Sequence, residues 1–468
     1  MSRSPSSSFE VTQALLNCAR ATGFRFGEDT ALVAVQHMLG QTVDLFRTVV
    51  AMGLDVKNIF ALGKIYSNSA KVIETLRAMG VTVVESVKPP PGEFQPYFEQ
   101  DTNRLWRVAA EQLARRRIKR VLVLDDGGVC ITSVPTEVLQ RYAMCGVEQT
   151  SLGIFLFEVK PPPFAVISWA RAAVKLEIGG PIFSQWFIDR LNTEFLRHRT
   201  LRRERLGVIG MGSIGRNVAN LAVRQDNEVL YCDPSRDLYL PSPLSDRATR
   251  VESVEDLMLR CDYILGCSGR NPFKDKWSLK HKPGIKLFSA SSGDQEFGPI
   301  IRELMQKPDF RVASNTWDIV SAHGPSGPIH VAYLGYPYSF VSRGIEAVPT
   351  RIVQFDTGGL LAALVQARLF LEECETGGLQ NRGIHRLSPQ VQRFIYERWI
   401  RAMNDRRISA TELFGHDLGT LSTTQHDDWF IENTEPRPGD DYTPVQTVEK
   451  LMCDFIGQGY RAQVQGQR

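Results

Sequence analysis

Residues 205–219 read RLGVIGMGSIGRNVA, and Gly210, Gly212 and Gly215 carry the G-x-G-x-x-G spacing with which a backbone closes on a pyrophosphate. The apolar run before them reads as a strand, and NVANLAV after them reads as a helix. In that setting Gly210 permits the tight turn, Gly212 the approach of backbone amides to phosphate, and Gly215 the close packing of helix on strand. The helix start, with Ser213 and Ile214, offers free N–H groups and a partial positive charge to the phosphates. The next strand-like run, EVLYCD, ends at Asp233. A carboxylate at that distance accepts hydrogen bonds from the adenosine ribose and repels a 2′-phosphate. The expected cofactor is therefore NAD rather than NADP, with a ligand-free structural turn as the competing reading.

Other side chains that could do chemistry lie on both sides of this stretch. LDDGG at 124–128 ends a buried strand with Asp125 and Asp126, at the carboxyl edge where open α/β sheets bind ligands. One of the two is expected to cap the turn and the other to meet a substrate. His37 lies in an apolar stretch read as helical, where a satisfied core histidine competes with a functional one. Lys175 and Glu177 in AVKLEIGG are either a surface pair or proton carriers. His323 and His330 sit in a Gly/Pro-rich segment without a cysteine or carboxylate at ligand spacing, so no metal is expected.

These residues need a scaffold, and the rest of the chain supplies one. The 468 residues suffice for two or three domains, and 43% apolar with 23% charged residues is ordinary for a globular protein. A net charge of +3 does not suggest global attraction to nucleic acid or to an anionic membrane, and the basic runs RRRIKR and RHRTLRRER read as solvated helix ends or linkers. No apolar run reaches the 18 residues of a membrane span. Eight scattered cysteines without a CxxC pair suit reduced thiols in the cytoplasm.

Helix and strand patterns alternate for most of the length, which argues for an α/β protein with parallel sheets. The expected organisation is a Rossmann-type NAD-binding domain inserted in a split α/β substrate domain, with a C-terminal extension. Its parts are a flexible serine-rich lead (1–30), a substrate domain (31–196), the NAD-binding domain (197–345), a helix returning to the substrate domain (346–380) and the extension (381–468). In detail, 31–53 reads as a helix, NIFALG as a short apolar run, and VTVVESV, VLVLDDGG, GIFLFEVK and FAVISWA as strands. PRPGDD marks a break in the last ninety residues.

The order of elements and several motifs over residues 30–380 resemble the S-adenosylhomocysteine hydrolases. QHMLGQTVDLFRTVVAMG is similar to that family's His-Met helix, LDDGG to its Asp-Asp-Gly-Gly strand end, and GVEQTSLG to its Glu-Glu-Thr loop. The resemblance implies a tightly bound NAD that oxidises a substrate hydroxyl transiently, so that a leaving group departs from a nucleoside-like small molecule. It implies Asp126 for orienting hydroxyls, His37 and Lys175 as proton carriers with Glu177 beside them, and Thr150 and Ser151 at the nicotinamide ribose. A homo-oligomer is the family tendency. The sequence also departs from that pattern: Leu39, Gln41 and Gln149 stand where the family has threonine and glutamates, and the family's C-terminal ending is absent. LGVIGMGSIGRNVA and VLYCDPS resemble the cofactor segment of D-2-hydroxyacid dehydrogenases as closely, which makes an NAD dehydrogenase the alternative. SASSGDQEF, however, lacks that family's Ser-Arg-Gly, and no His-Pro segment follows. A catalytically silent NAD-binding regulator is the third reading.

Overall fold

Short apolar runs bounded by turn residues become strands buried on both faces. The first six are β1 (Thr30–Gln36), β2 (Ile59–Gly63), β3 (Thr82–Val84), β4 (Arg120–Asp125), β5 (Ala143–Glu148) and β6 (Val166–Ser168). The computed structural model describes residues 9–236, 238, 240, 244–273, 280–313, 319–324, 326–340, 348–375, 382–405 and 450–458. Every residue of β1 and β2 is buried, as in sheets covered by helices on both sides. Within β1 the faces alternate. Leu32 and Ala34 join a core with the helix Thr350–Glu375, while Ala31, Val33 and Val35 join Leu105 and Trp106 of the helix Phe94–Leu113.

A second sheet follows, from β7 (Arg205–Ile209), β8 (Glu228–Cys232), β9 (Ala248–Arg250), β10 (Tyr263–Gly266), β11 (Ile285–Ser289), β12 (Arg311–Ala313), β13 (Ile319–Gly324) and β14 (Gly327–Val331). The chain then returns through Thr350–Glu375, and β15 (Ile384–Arg386) pairs parallel with β6 in the first sheet. The strand orders are β15-β6-β5-β4-β1-β2-β3 and β12-β13-β14-β11-β10-β7-β8-β9. The first sheet is wholly parallel; the second is parallel except for the edge pairs β12–β13 and β13–β14. Counted along the chain, the first sheet contains the doubly wound order 3-2-1-4-5-6, and the second shares its 3-2-1-4-5 part before ending in β14, β13 and β12. The architecture is thus mixed α/β, with a Rossmann-type unit inserted into a second doubly wound unit.

Several local expectations are corrected. The lead expected to be flexible over 1–30 gives way at Glu10 to the helix Glu10–Thr22, whose Val11, Leu15 and Cys18 are fully buried. Residues 31–36 are strand rather than helix, and Ser151–Val159 is a helix rather than a strand. Short apolar runs do not reveal their period, and burial of β1 on both faces hides the alternation that marks a half-exposed strand. At Ser151 the N-cap decides: the Thr150 hydroxyl accepts from the Gly153 N–H at 3.1 Å. Helix Gly180–Arg190, expected in the first unit, buries Phe187 and Ile188 in one core with Leu206 and Val208 of β7. Much of the described C-terminal part is core rather than extension. The Trp399 indole donates to the Ile352 carbonyl at 2.8 Å, and Met452 and Phe455 are buried in the first unit. The PRPGDD break lies outside the described residues.

Candidate active site

In doubly wound sheets the chain leaves neighbouring strands in opposite directions at the point where the order reverses, and a crevice opens outside the carboxyl ends. The first sheet reverses between β1 and β4, and the second between β7 and β10. His37 follows β1 at the first of these points, Lys64 follows β2, Asp126 follows β4 and Gln149 follows β5. Their side chains converge. Asp126 lies 3.1 Å through Oδ2 from His37 Nε2, its Oδ1 accepts from Lys64 Nζ, and its Oδ2 also accepts from Gln149 Nε2. His37 Nδ1 lies 2.6 Å from Ser67 Oγ.

Asp125 has the other role foreseen for one of the pair. Its two oxygens accept from the N–H groups of Asp126 and Ile131, both at 2.8 Å, and so shape the turn. Glu148 does the same from β5: Oε1 accepts from Gly127 N–H at 3.1 Å and from both the N–H and the hydroxyl of Thr150 at 2.7 Å. Thr150 is therefore committed to its own loop, and Ser151 is exposed beside it.

Three buried carboxylates near one buried lysine have to divide the available charge. Burial alone raises the Asp126 carboxyl, but the charge of Lys64 and the hydrogen bonds from His37 and Lys64 outweigh it and hold it well below the usual range. For Lys64, burial pulls the ammonium down, but Asp126 and Tyr66 outweigh burial and hold it above its ordinary value. Asp125 and Glu148 shift the other way. Burial pushes both carboxyls up, against the N–H of Ile131 in one case and with the charge of Asp125 added in the other. The cluster thus concentrates its negative charge on Asp126.

Side chains of the second unit close over it. Phe340 stacks on the His37 ring at 4.2 Å and Tyr336 on Tyr66 at 4.9 Å, while the Tyr66 hydroxyl accepts from the Gly293 N–H at 3.3 Å. The Phe94 N–H donates to Asp294 at 3.1 Å, which ties the two units together on the same side.

The glycine stretch lies at the second reversal point and has the shape its sequence requires. Gly210 has φ of +87°, and a Cβ there would fall 2.7 Å from the Ser268 backbone. A Cβ on Gly215 would fall 1.9 Å from the Gly210 carbonyl oxygen, whereas one on Gly212 would meet nothing within 4 Å. The turn is thus filled by backbone on one side and open at Gly212, where a phosphate has room to approach. Ser213 begins the helix Ser213–Arg224, whose first N–H groups lack intrahelical acceptors. The Ser213 hydroxyl itself donates to the Leu176 carbonyl. Asp233 follows β8 and binds the same turn, accepting from Met211 N–H at 2.6 Å and from Ser235 N–H at 2.8 Å. Open space at Gly212, an amide-bearing helix start and a carboxylate at the end of β8 fit a dinucleotide.

Lys175 and Glu177 are not brought to the His37–Asp126 cluster. Lys175 Nζ lies 3.0 Å from Asp356 Oδ1, which also accepts from the Trp169 indole at 2.7 Å. The lysine of the cluster is Lys64, which the sequence reading did not single out, together with Tyr66 and Ser67. A sign of Lys64 was present: it directly follows the buried run NIFALG, and lysines are almost never fully buried unless paired. His330 bonds Ser321 and His323 bonds Asp309.

Comparison with known proteins speaks first to the second unit. Residues 184–272 match the family model of the D-isomer specific 2-hydroxyacid dehydrogenase NAD-binding domain. The inserted unit is accordingly an NAD-binding domain. Two uncharacterized proteins of Mycobacterium tuberculosis, from strains CDC 1551 / Oshkosh and ATCC 25618 / H37Rv, are 27% identical over 296 residues. The match takes in 61% of this chain, and the chain spans 56% of the length of either relative. Erythronate-4-phosphate dehydrogenase of Stutzerimonas stutzeri is 27% identical over 133 residues, 26% of this chain and 33% of that enzyme. Among solved structures, a D-lactate dehydrogenase of Treponema pallidum aligns over 75% of this chain and 98% of its own, at 11% identity and a TM-score of 0.33. That likeness is too slight to define a common arrangement. The domain match overturns the resemblance to the S-adenosylhomocysteine hydrolases: the cofactor unit fits a dehydrogenase family, and the hydrolase reading with its internal oxidation and elimination falls with it.

Proposed function

We propose that the chain is an NAD-dependent dehydrogenase that oxidises the hydroxyl of a small hydroxy acid, with His37 as the proton acceptor. The observation that carries this reading is the match of residues 184–272 to a D-isomer dehydrogenase cofactor domain, in a chain whose other unit presents a buried His–Asp–Lys cluster. NAD, when bound, supplies the acceptor for the hydrogen and electron pair leaving the carbinol carbon. The backbone around Gly210, Gly212 and Gly215 and the N–H groups of Ser213 and Ile214 hold the pyrophosphate, and Asp233 holds the adenosine ribose.

Asp126 orients the His37 ring through Nε2 and stabilises the imidazolium that forms. Lys64 keeps Asp126 ionised, so the carboxylate serves as a counter-charge and does not take the proton itself. A positioned base of this kind contributes about 10²–10⁴-fold in rate. SASSGDQEF carries no arginine to pair a substrate carboxylate, and no His-Pro segment follows it to offer a second histidine base; the proton acceptor is therefore assigned to the first unit. A homo-oligomer and a cytoplasmic location belong to the same proposal. For the location, none of the eight cysteines is fully exposed, and among the described residues no helix is long and apolar enough to cross a membrane.

The test is NAD uptake by calorimetry, followed by absorbance at the NADH band with a panel of D-2-hydroxy acids and phosphorylated sugar acids. His37→Gln should lower kcat by about 10²-fold or more, and Asp126→Asn should abolish turnover while NAD still binds. Asp233→Ala should weaken uptake. Bound NAD that no hydroxy acid reduces would sink the dehydrogenase and leave an NAD-binding regulator, a reading favoured by the missing arginine.

A further inference from the structure

We propose that Ser67 receives the hydroxyl proton of the substrate and passes its own proton to His37. The proposal rests on the dehydrogenase reading with His37 as acceptor, and it names the group through which the proton must travel.

Both ring nitrogens of His37 are engaged. Nε2 faces Asp126 Oδ2 at 3.1 Å, and because Asp126 is the ionised member of the cluster, Nε2 carries the hydrogen. In the neutral ring, the form a proton acceptor must take, Nδ1 holds the lone pair, and the Ser67 hydroxyl at 2.6 Å can donate to it. Phe340 lies against one ring face at 4.2 Å. A proton from outside reaches Nδ1 through Ser67 Oγ or by displacing it. Displacement is opposed by the local structure. Ser67 ends the 3-10 turn Ile65–Ser67, is 5% exposed, and its N–H donates to the Lys64 carbonyl at 2.9 Å.

The same hydroxyl has a second acceptor, the Lys64 carbonyl oxygen, 3.2 Å from Oγ. That acceptor completes the balance. The substrate O–H bond breaks as a new O–H bond forms on Ser67. The original Ser67 O–H bond breaks as N–H forms at His37 Nδ1. The carbinol hydrogen and its electron pair would go to NAD when it is bound. Ser67 then accepts from Nδ1–H, and its new hydrogen points to the Lys64 carbonyl. After product release the steps reverse toward water. Ser67, His37 and Asp126 form a relay that begins at the serine hydroxyl.

The experiment uses the full chain and its Ser67→Ala and Ser67→Cys variants. Nitrogen-15 spectra of the histidine rings, assigned with His37→Gln, are recorded without substrate. In the native protein Nδ1 should appear as a hydrogen-bonded acceptor; Ser67→Ala should move that resonance, and Ser67→Cys, a weaker donor, should fall between. With a substrate, Ser67→Ala should lose about 10²-fold in kcat with KM within threefold, and its solvent-isotope dependence should change from two transferring protons to one. An unmoved Nδ1 resonance, or a kcat within threefold of native, overturns the relay while leaving the dehydrogenase intact. A native Nδ1 signature in a protein that turns over no hydroxy acid sinks the dehydrogenase reading and the relay's catalytic role together. Retention of the thermal midpoint in Ser67→Ala checks that only the hydroxyl was lost.

Discussion

Replacing Lys64 by methionine gives the sharpest test of the cluster's electrostatics. The lysine and Asp126 side chains are 2% and 1% exposed, so removing the ammonium leaves a buried carboxylate facing only His37 and Gln149. Breaking a buried pair from one side costs about 3–5 kcal/mol. For a unit of roughly 200 residues that is a thermal shift of about 6–20 °C. Asp126→Asn should cost a similar amount, because the lysine is then the stranded charge. The double variant, with both charges gone, should be less damaged than the sum of the two, by more than the roughly 0.5 kcal/mol within which independent sites add. The pH dependence has a definite sign. Without Lys64, burial raises the Asp126 carboxyl above its unfolded value, so the penalty in Lys64→Met should be greatest near neutrality and shrink as acid protonates Asp126. Scanning calorimetry between pH 5 and 8 measures both effects. Additive single variants, or a Lys64→Met penalty that does not diminish in acid, would refute the assignment of Asp126 as the charged member.

Other consequences are open to direct measurement. Gly212→Ala should fold normally, since the added methyl meets nothing within 4 Å, yet lose at least about tenfold in NAD affinity, roughly 1.4 kcal/mol; full NAD affinity in calorimetry would place the pyrophosphate elsewhere. Gly215→Ala should instead destabilise the fold by about 1–3 kcal/mol, because the methyl would fall 1.9 Å from a backbone oxygen. Glu148 is pushed well up by burial, so the folded protein keeps a proton that the unfolded chain releases. Stability should therefore fall as pH rises from about 4.3, the unfolded value, toward the folded one, and Glu148→Gln should flatten that slope in thermal scans. Trp399→Ala should cost about 3–5 kcal/mol, which denaturant titration would show, if the helix Pro389–Asp405 belongs to the first core.

Much of the cofactor unit was legible because its signal is local. A glycine triplet between an apolar run and a helix, with an acid after the next strand, lies within thirty residues, and each glycine answers to a nearby backbone contact. The first unit was less legible. His37 falls in a stretch that reads as helical because β1 is apolar from Ala31 to Val35, and a strand buried on both faces loses the alternation that identifies it. The long helix Thr350–Glu375 and the helix Glu10–Thr22 bury faces against one another across more than three hundred residues; the Val11 N–H donates to Gln354 at 3.1 Å. No local pattern records such a contact.

From its residues alone the chain establishes alternating α/β architecture, an inserted NAD cradle, and an acid pair closing one buried strand. Which acid carries the charge, and which lysine balances it, was decided only by folding. Lys64 and Asp126 stand 62 positions apart, and they meet because β2 and β4 flank β1 in a parallel sheet whose carboxyl ends share one edge. Spacing in sequence governs turns and caps; the sign and strength of a buried charge depend on what the sheet order places beside it.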